Sequence, residues 1–229
     1  MKNVKITVLC FLITILGLTK LSAQTDFAPA IGVALKASTE GLGGDAVYNF
    51  NKKMSIRLGY ESLALNHDFS FTEESITYDA IMNYKTGSLS LLFDYYLSKS
   101  IFVTAGAGYN LFNAALNGKS SSGYQYGDIL ISNDKIGIFD ITVKPSMKVS
   151  PYLGIGFGRT LGLAKKLGFA FELGGFYQGS PDINIVSTGL LLPSSDPDQQ
   201  HSVRLEKQVS QYTIYPVLKF SLSYKIVNL

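Results

Sequence analysis

The chain has 229 residues, with 20 Lys+Arg, 17 Asp+Glu, one cysteine and no tryptophan. The length predicts a single domain, and a lone cysteine excludes internal disulfides and thiolate metal clusters. Charged residues make up only 16 %, whereas Tyr and Phe number 14 each and Gly 22. That composition suits a membrane barrel or a soluble β-sandwich, so the alternation of side chains has to separate them.

Lys2 and Lys5 precede an apolar run from Ile6 to Leu18, and Leu21-Ser22-Ala23 stands ahead of Gln24. This is the layout of a secretory signal cut after Ala23. A bilayer-spanning helix would need roughly 20 apolar residues. The expected division is therefore a signal peptide over 1–23 and a barrel domain over 24–229. Cleavage removes Lys2, Lys5 and Lys20 but no acid, so the remaining basic residues equal the 17 acidic ones. The basic excess belongs to the signal and gives no argument for a nucleic-acid partner. Cys10 also leaves, and its place midway along the apolar run argues against a lipoprotein anchor.

Eight segments then alternate with the period of two that a strand demands. Ile31, Val33 and Leu35 alternate with Gly32, Ala34 and Lys36, and Ala46, Tyr48 and Phe50 with Asp45, Val47 and Asn49. Ile56, Leu58 and Tyr60 alternate with Arg57, Gly59 and Glu61. Leu89, Leu91, Phe93 and Tyr95 alternate with a polar row of Ser88, Ser90, Asp94 and Tyr96 that Leu92 interrupts. Val103 to Tyr109, Leu153 to Phe157 and Phe169 to Leu173 supply three more, rich in glycine on the second parity. The last is the cleanest: Leu218, Phe220, Leu222, Tyr224 and Ile226 against Lys219, Ser221, Ser223 and Lys225.

The connections alternate in length. Asn51-Lys52-Lys53, Ser98-Lys99-Ser100 and the stretch around Lys165-Lys166 are short. Residues 66–80, 113–144 and 179–211 read as long loops, the last with a helical turn carrying Val203 and Val209; the link near Ser38–Leu42 is brief. Sorting of this kind is expected of an eight-stranded antiparallel transmembrane β-barrel with short periplasmic turns and longer extracellular loops. Tyr48, Tyr60, Tyr95, Tyr109 and Tyr224, all on the outward parity, suit interfacial girdles.

The polar parity places Lys36, Asp45, Arg57, Glu61, Asp94, Glu172, Lys219 and Lys225 toward the lumen. Eight strands leave an interior just wide enough for side chains to fill, and unpaired buried charges are costly. Two readings stay open: a structural ion-pair network, or a polar path for a small zwitterion such as an amino acid. Catalysis finds no support. His67 and His201 both fall in expected loops, without His-Glu-x-x-His or Gly-x-Ser-x-Gly, and neither forms the His-x-Ser pair of a lipid A deacylase. Gly154-Ile155-Gly156-Phe157-Gly158 lacks the strand–turn–helix context of a nucleotide loop. No enzyme, cofactor or metal is expected.

Ser150-Pro151-Tyr152-Leu153-Gly154-Ile155-Gly156-Phe157-Gly158 and Glu172-Leu173-Gly174-Gly175-Phe176-Tyr177-Gln178-Gly179-Ser180-Pro181 resemble two blocks of the CarO-like outer-membrane proteins. Tyr215-Pro216-Val217 and Ser223-Tyr224 resemble that family's closing strand. The resemblance implies an eight-stranded barrel in the bacterial outer membrane, with large extracellular structure and uptake of small amino acids such as ornithine. The chain departs from the pattern in ending Tyr224-Lys225-Ile226-Val227-Asn228-Leu229, without a terminal aromatic, and in its middle loops. The leading expectation is passive uptake of small zwitterionic solutes by a monomer whose partners are membrane lipid and the solute. The alternatives are a non-transporting structural or surface-binding barrel and, last, a lipid A-modifying enzyme.

Overall fold

The computed structural model describes residues 28–73, 75–163, 165–195 and 201–229; the expected signal peptide over 1–23 lies outside them. Its strands in chain order begin with β1 (Ala30–Ser38), β2 (Gly41–Asn51), β3 (Met54–Glu73), β4 (Ile76–Tyr96) and β5 (Ile101–Asn110). β6 (Asn113–Ser120), β7 (Tyr124–Tyr126), β8 (Ile129–Ile131) and β9 (Ile138–Pro145) follow, then β10 (Val149–Gly158) and β11 (Leu167–Tyr177). β12 (Pro181–Ser187) and β13 (Ile214–Asn228) complete the set. Two helices, α1 (Asn133–Ile136) and α2 (His201–Val209), and a 3-10 turn over Gly189–Ser195 lie in the long connections.

β1 to β5, β10, β11 and β13 form a closed antiparallel ring, β13 pairing back onto β1 and β10 onto β5. Closure removes the exposed edges that an open sheet would leave. Each of the eight expected alternating segments is one of these strands, with the expected parity. The ring is inside-out relative to a water-soluble protein. Leu153 is 72 % exposed and Phe169 58 %, whereas Glu61 and Asp94 are 0 % exposed. Apolar surface left in water costs roughly 25 cal/mol per Å², so a continuous belt of such residues requires lipid around it. The fold is therefore a transmembrane barrel. Barrels of this kind turn short connections to the periplasm and long ones outward, which makes the β2–β3, β4–β5 and β10–β11 turns the periplasmic end.

The long links differ from the loops read in the sequence. Residues 66–80 continue the wall: β3 and β4 stay paired from Met54↔Tyr95 to Glu73↔Ile76, well beyond the ring. The alternation continues with them, His67, Phe69 and Phe71 on one face against Asp68 and Ser70 on the other. His67 thus sits on a strand, stacked 6.1 Å from Phe69. β6 pairs with the upper part of β4, β9 with β6, and β12 with β9, building an extracellular sheet out of the barrel wall. The expected helical turn near Val203 and Val209 is α2, whose Glu206 carboxylate accepts a hydrogen bond from the Ile183 amide at the free edge of β12 (3.0 Å).

Two glycines show why the inner wall is short of side chains. A Cβ on Gly156 would fall within the Phe102 ring, and one on Gly59 would collide with the Asp45 carboxylate and stand 2.6 Å from Lys36 Nζ. Glycine here makes room for a neighbour's bulk, as expected where side chains approach closely.

Leu222, half exposed and central in β13, tests the lipid-facing assignment. Leu222→Arg is expected to destabilise the folded barrel by about 2–4 kcal/mol, read as a lower urea midpoint in lipid vesicles.

Candidate functional site

The lumen is built from the inward parity. All eight charged residues named from the sequence are buried inside. Seven of them form one network across the ring. Lys36 Nζ lies 2.7 Å from Asp45 and 3.3 Å from Glu61, and Lys219 Nζ lies 3.0 Å from Glu61. Arg57 holds Asp94 at 2.8 Å and Glu172 at 2.7 Å, with Asp45 at 3.9 Å. A guanidinium has five N–H donors in a planar fork, which lets one side chain serve carboxylates on three strands.

Neutral groups complete the carboxylate shells. Asp94 accepts from Ser55 (2.9 Å), Thr104 (2.9 Å) and Thr160 (3.1 Å), and Glu172 from the Tyr152 hydroxyl (2.7 Å). Such charge-assisted bonds are the strong ones, and they offset part of the cost of removing the ions from water. Lys225 stands apart. Its ammonium donates to the Leu163 carbonyl at 2.6 Å, a capping contact with the β10–β11 turn.

Both ends of the lumen are covered. At the periplasmic end the β10–β11 connection, expected as a simple turn, folds inward. Leu161 is buried against Ala30, Ala34 and Val47, and Thr160 bonds the Tyr96 hydroxyl. Arg159 fastens this turn by donating to the Lys52 carbonyl through Nη1 and Nη2 and to the Lys99 carbonyl through Nε, each at 2.9 Å, with its guanidinium 4.1 Å over the Tyr96 ring. In the middle, Leu92, the residue that interrupts the polar row, packs with Tyr152, Phe176 and Val217. At the extracellular end Tyr84, Phe112 and Tyr215 meet edge to face or tilted.

Glu40 escaped the sequence reading because it lies in the β1–β2 turn, where strand parity does not apply. It is 3 % exposed, accepts a hydrogen bond from Ser88 (3.2 Å) and lies beside Glu61. With it, the network sets five carboxyls against Lys36, Arg57 and Lys219. Burial, with the neighbouring Glu61 carboxylate, pushes Glu40 up to about 8.

Above the ring, the extracellular sheet presents two unlike faces. The face continuous with the lumen is aromatic: Phe71 stacks on Tyr78 at 5.3 Å, and Phe139 packs against Tyr78 at 6.0 Å. The opposite face continues the outward parity of Leu58 and Tyr60 and carries a groove of about 620 Å³. One wall is the cross-strand row Asp68, Ile81, Asn117 and Asp140, the other Ser70, Asp79, Lys119 and Ile138. Asn117 donates to Asp140 at 2.6 Å and Ser70 to Asp79 at 2.8 Å. The sequence signal for this site was the polar half of the alternation through 66–80, which reads equally as loop. Among the described residues no group of His, Cys, Asp and Glu is placed to hold a metal ion.

A closed eight-stranded wall, apolar outside and filled by an ion-pair network, defines a small transmembrane barrel. Among known structures it is similar to CarO proteins. A crystal structure of Acinetobacter baumannii CarO2 matches with a TM-score of 0.54 and 19 % identity, over 88 % of this chain and 100 % of that one. Acinetobacter baumannii CarO matches with a TM-score of 0.52 and 21 % identity, over 86 % of this chain and 98 % of that one. The CarO-like resemblance of the sequence is thus borne out in the fold. No protein-family model and no curated protein matches the sequence.

Two outcomes test the lumen. Arg57→Ala strands Asp94 and Glu172 in a dry interior and is expected to cost about 3–5 kcal/mol of folding stability, measured by urea titration in vesicles. An unfolded chain holds the Glu40 carboxyl near 4.5, against about 8 in the barrel. Between those values the folded state binds the additional proton, so stability falls as pH rises through that window. Glu40→Gln is expected to abolish this slope. It should leave the barrel more stable than the parent at pH 8 and above, with the difference closing toward pH 4.

Proposed function

We propose that this chain is an outer-membrane barrel whose lumen is sealed and whose working surface is the extracellular sheet. The observation that carries this reading is the seven-membered ion network, in which every member is nearly inaccessible to solvent. A solute would have to displace Arg57 from two carboxylates and pass the covered ends. The cost of separating buried ion pairs is several kcal/mol. The groove between the Asp68 and Ser70 rows, by contrast, is open to the outside and mixes carboxylates, an ammonium, an amide and isoleucine walls. A mostly apolar concavity with a few placed polar groups is the usual form of a small-ligand site.

The second reading is passive uptake of small zwitterionic solutes such as amino acids through the lumen. The interleaving of Lys36, Arg57 and Lys219 with carboxylates favours it, because such a path offers partners to both ends of a zwitterion. The CarO-type fold agrees with either reading.

Swelling of vesicles containing the refolded barrel separates them. With glycine or ornithine outside, the sealed-lumen reading expects the rate of empty vesicles. Faster swelling overturns that reading in favour of uptake.

A further inference from the structure

The three periplasmic turns, Lys52–Lys53, Leu97–Ser100 and Arg159–Lys166, hold six basic residues and no acidic one. Between the second and third turns, on the outer surface of the wall, lies a cleft of about 270 Å³. Phe157, Leu167 and Phe169, all more than half exposed on the lipid-facing parity, form its apolar side. Ser100, Arg159 and Lys165 form its polar side.

The cleft is built rather than incidental. Arg159 is held by the carbonyls of Lys52 and Lys99 and by the Tyr96 ring, which fixes the turn that carries Lys165. Short turns bring these groups to the ends of membrane-spanning strands, at the depth where the hydrocarbon gives way to phosphate. The apolar side therefore faces acyl chains and the basic side faces headgroups.

We propose that this cleft binds an anionic phospholipid of the inner leaflet, of the phosphatidylglycerol kind, with an acyl chain along Phe157 and Phe169 and the phosphate against Lys165 and Ser100, within the positive potential of Arg159. Lys52, Lys53, Lys99 and Lys166 add positive potential around the site, and each basic group near an anionic membrane surface strengthens the attraction. A zwitterionic phosphatidylethanolamine brings its own ammonium into the same field and is bound less well. The inference rests on the barrel being a membrane protein.

The test uses the whole refolded barrel in vesicles of equal phosphatidylethanolamine and phosphatidylglycerol. After mild detergent extraction, native mass spectrometry counts the lipids that stay bound. Phosphatidylglycerol is expected to be retained about tenfold over phosphatidylethanolamine, the ratio that one or two cation–phosphate contacts produce. Lys165→Gln combined with Lys166→Gln should bring the ratio close to one, whereas Lys148→Gln at the opposite end leaves it unchanged. Equal retention of the two lipids, or a preference that survives the double substitution, overturns the proposal. So does retention of added lipid A in place of phosphatidylglycerol. Raising the salt gives a second readout on the unsubstituted barrel: the preference should weaken as the charges are screened, and a salt-independent preference also overturns it. A barrel that fails to insert into vesicles counts against the membrane reading itself, while one that inserts without lipid preference counts against this site alone.

Discussion

An eight-stranded ring encloses room for side chains but not for bulk water, so each charge on its inner face must find its partner inside the wall. Arg57 meets that constraint for half of the lumen. It stands 2.8 Å from Asp94 on β4 and 2.7 Å from Glu172 on β11, which joins strands that are not neighbours in the ring. The hydrogen bonds of the wall set which strands are adjacent; the ion network ties the wall across its diameter. Glycine on the same parity follows from this. The Lys36–Asp45 pair, Tyr152 and Phe102 can be accommodated because Gly59, Gly154 and Gly156 leave space beside them.

The two ends complete the filling by different means. The periplasmic turn contributes Leu161 as an apolar stopper and Thr160 as a further donor to Asp94. The extracellular turn contributes Glu40, which adds a carboxyl to a network already rich in them. A fifth carboxyl beside three cations is tolerated because it keeps its proton over much of the pH range, a neutral donor and acceptor being far cheaper to bury than another charge. With Glu40 protonated, the four remaining carboxylates face four buried cations, Lys36, Arg57, Lys219 and the separately held Lys225.

The strands and their inward charges were legible in the sequence because strand geometry converts parity directly into facing. That rule places Lys36, Asp45, Arg57, Glu61, Asp94, Glu172, Lys219 and Lys225 inside without any knowledge of pairing. It says nothing of partners, so Lys225 was grouped with the ion network although a backbone carbonyl holds it. It also fails in turns, where Glu40, Thr160 and Leu161 lie. The extracellular sheet reads as loop in the sequence because Asn117 to Gly123 is composed of turn-favouring residues. The strand state of Asn117 to Ser120 is imposed by pairing with β4 and β9 rather than by local preference, the usual way tertiary context overrides β-propensity.

The filling of the lumen also determines where specificity can reside. A wall whose inside is committed to its own ion pairs has two surfaces left to vary: the sheet above the membrane and the turns below it. These differ in a way that follows from their surroundings. The extracellular groove sets Asp68, Asp79 and Asp140 against a single Lys119 on paired strands whose backbone is rigidly hydrogen bonded, the arrangement suited to a fixed ligand geometry. The periplasmic turns gather exposed lysines around one arginine held by backbone carbonyls, the arrangement suited to a diffuse anionic surface. The charges of the molecule are thus sorted by end: carboxylates dominate the extracellular groove, and basic residues alone carry charge in the periplasmic turns.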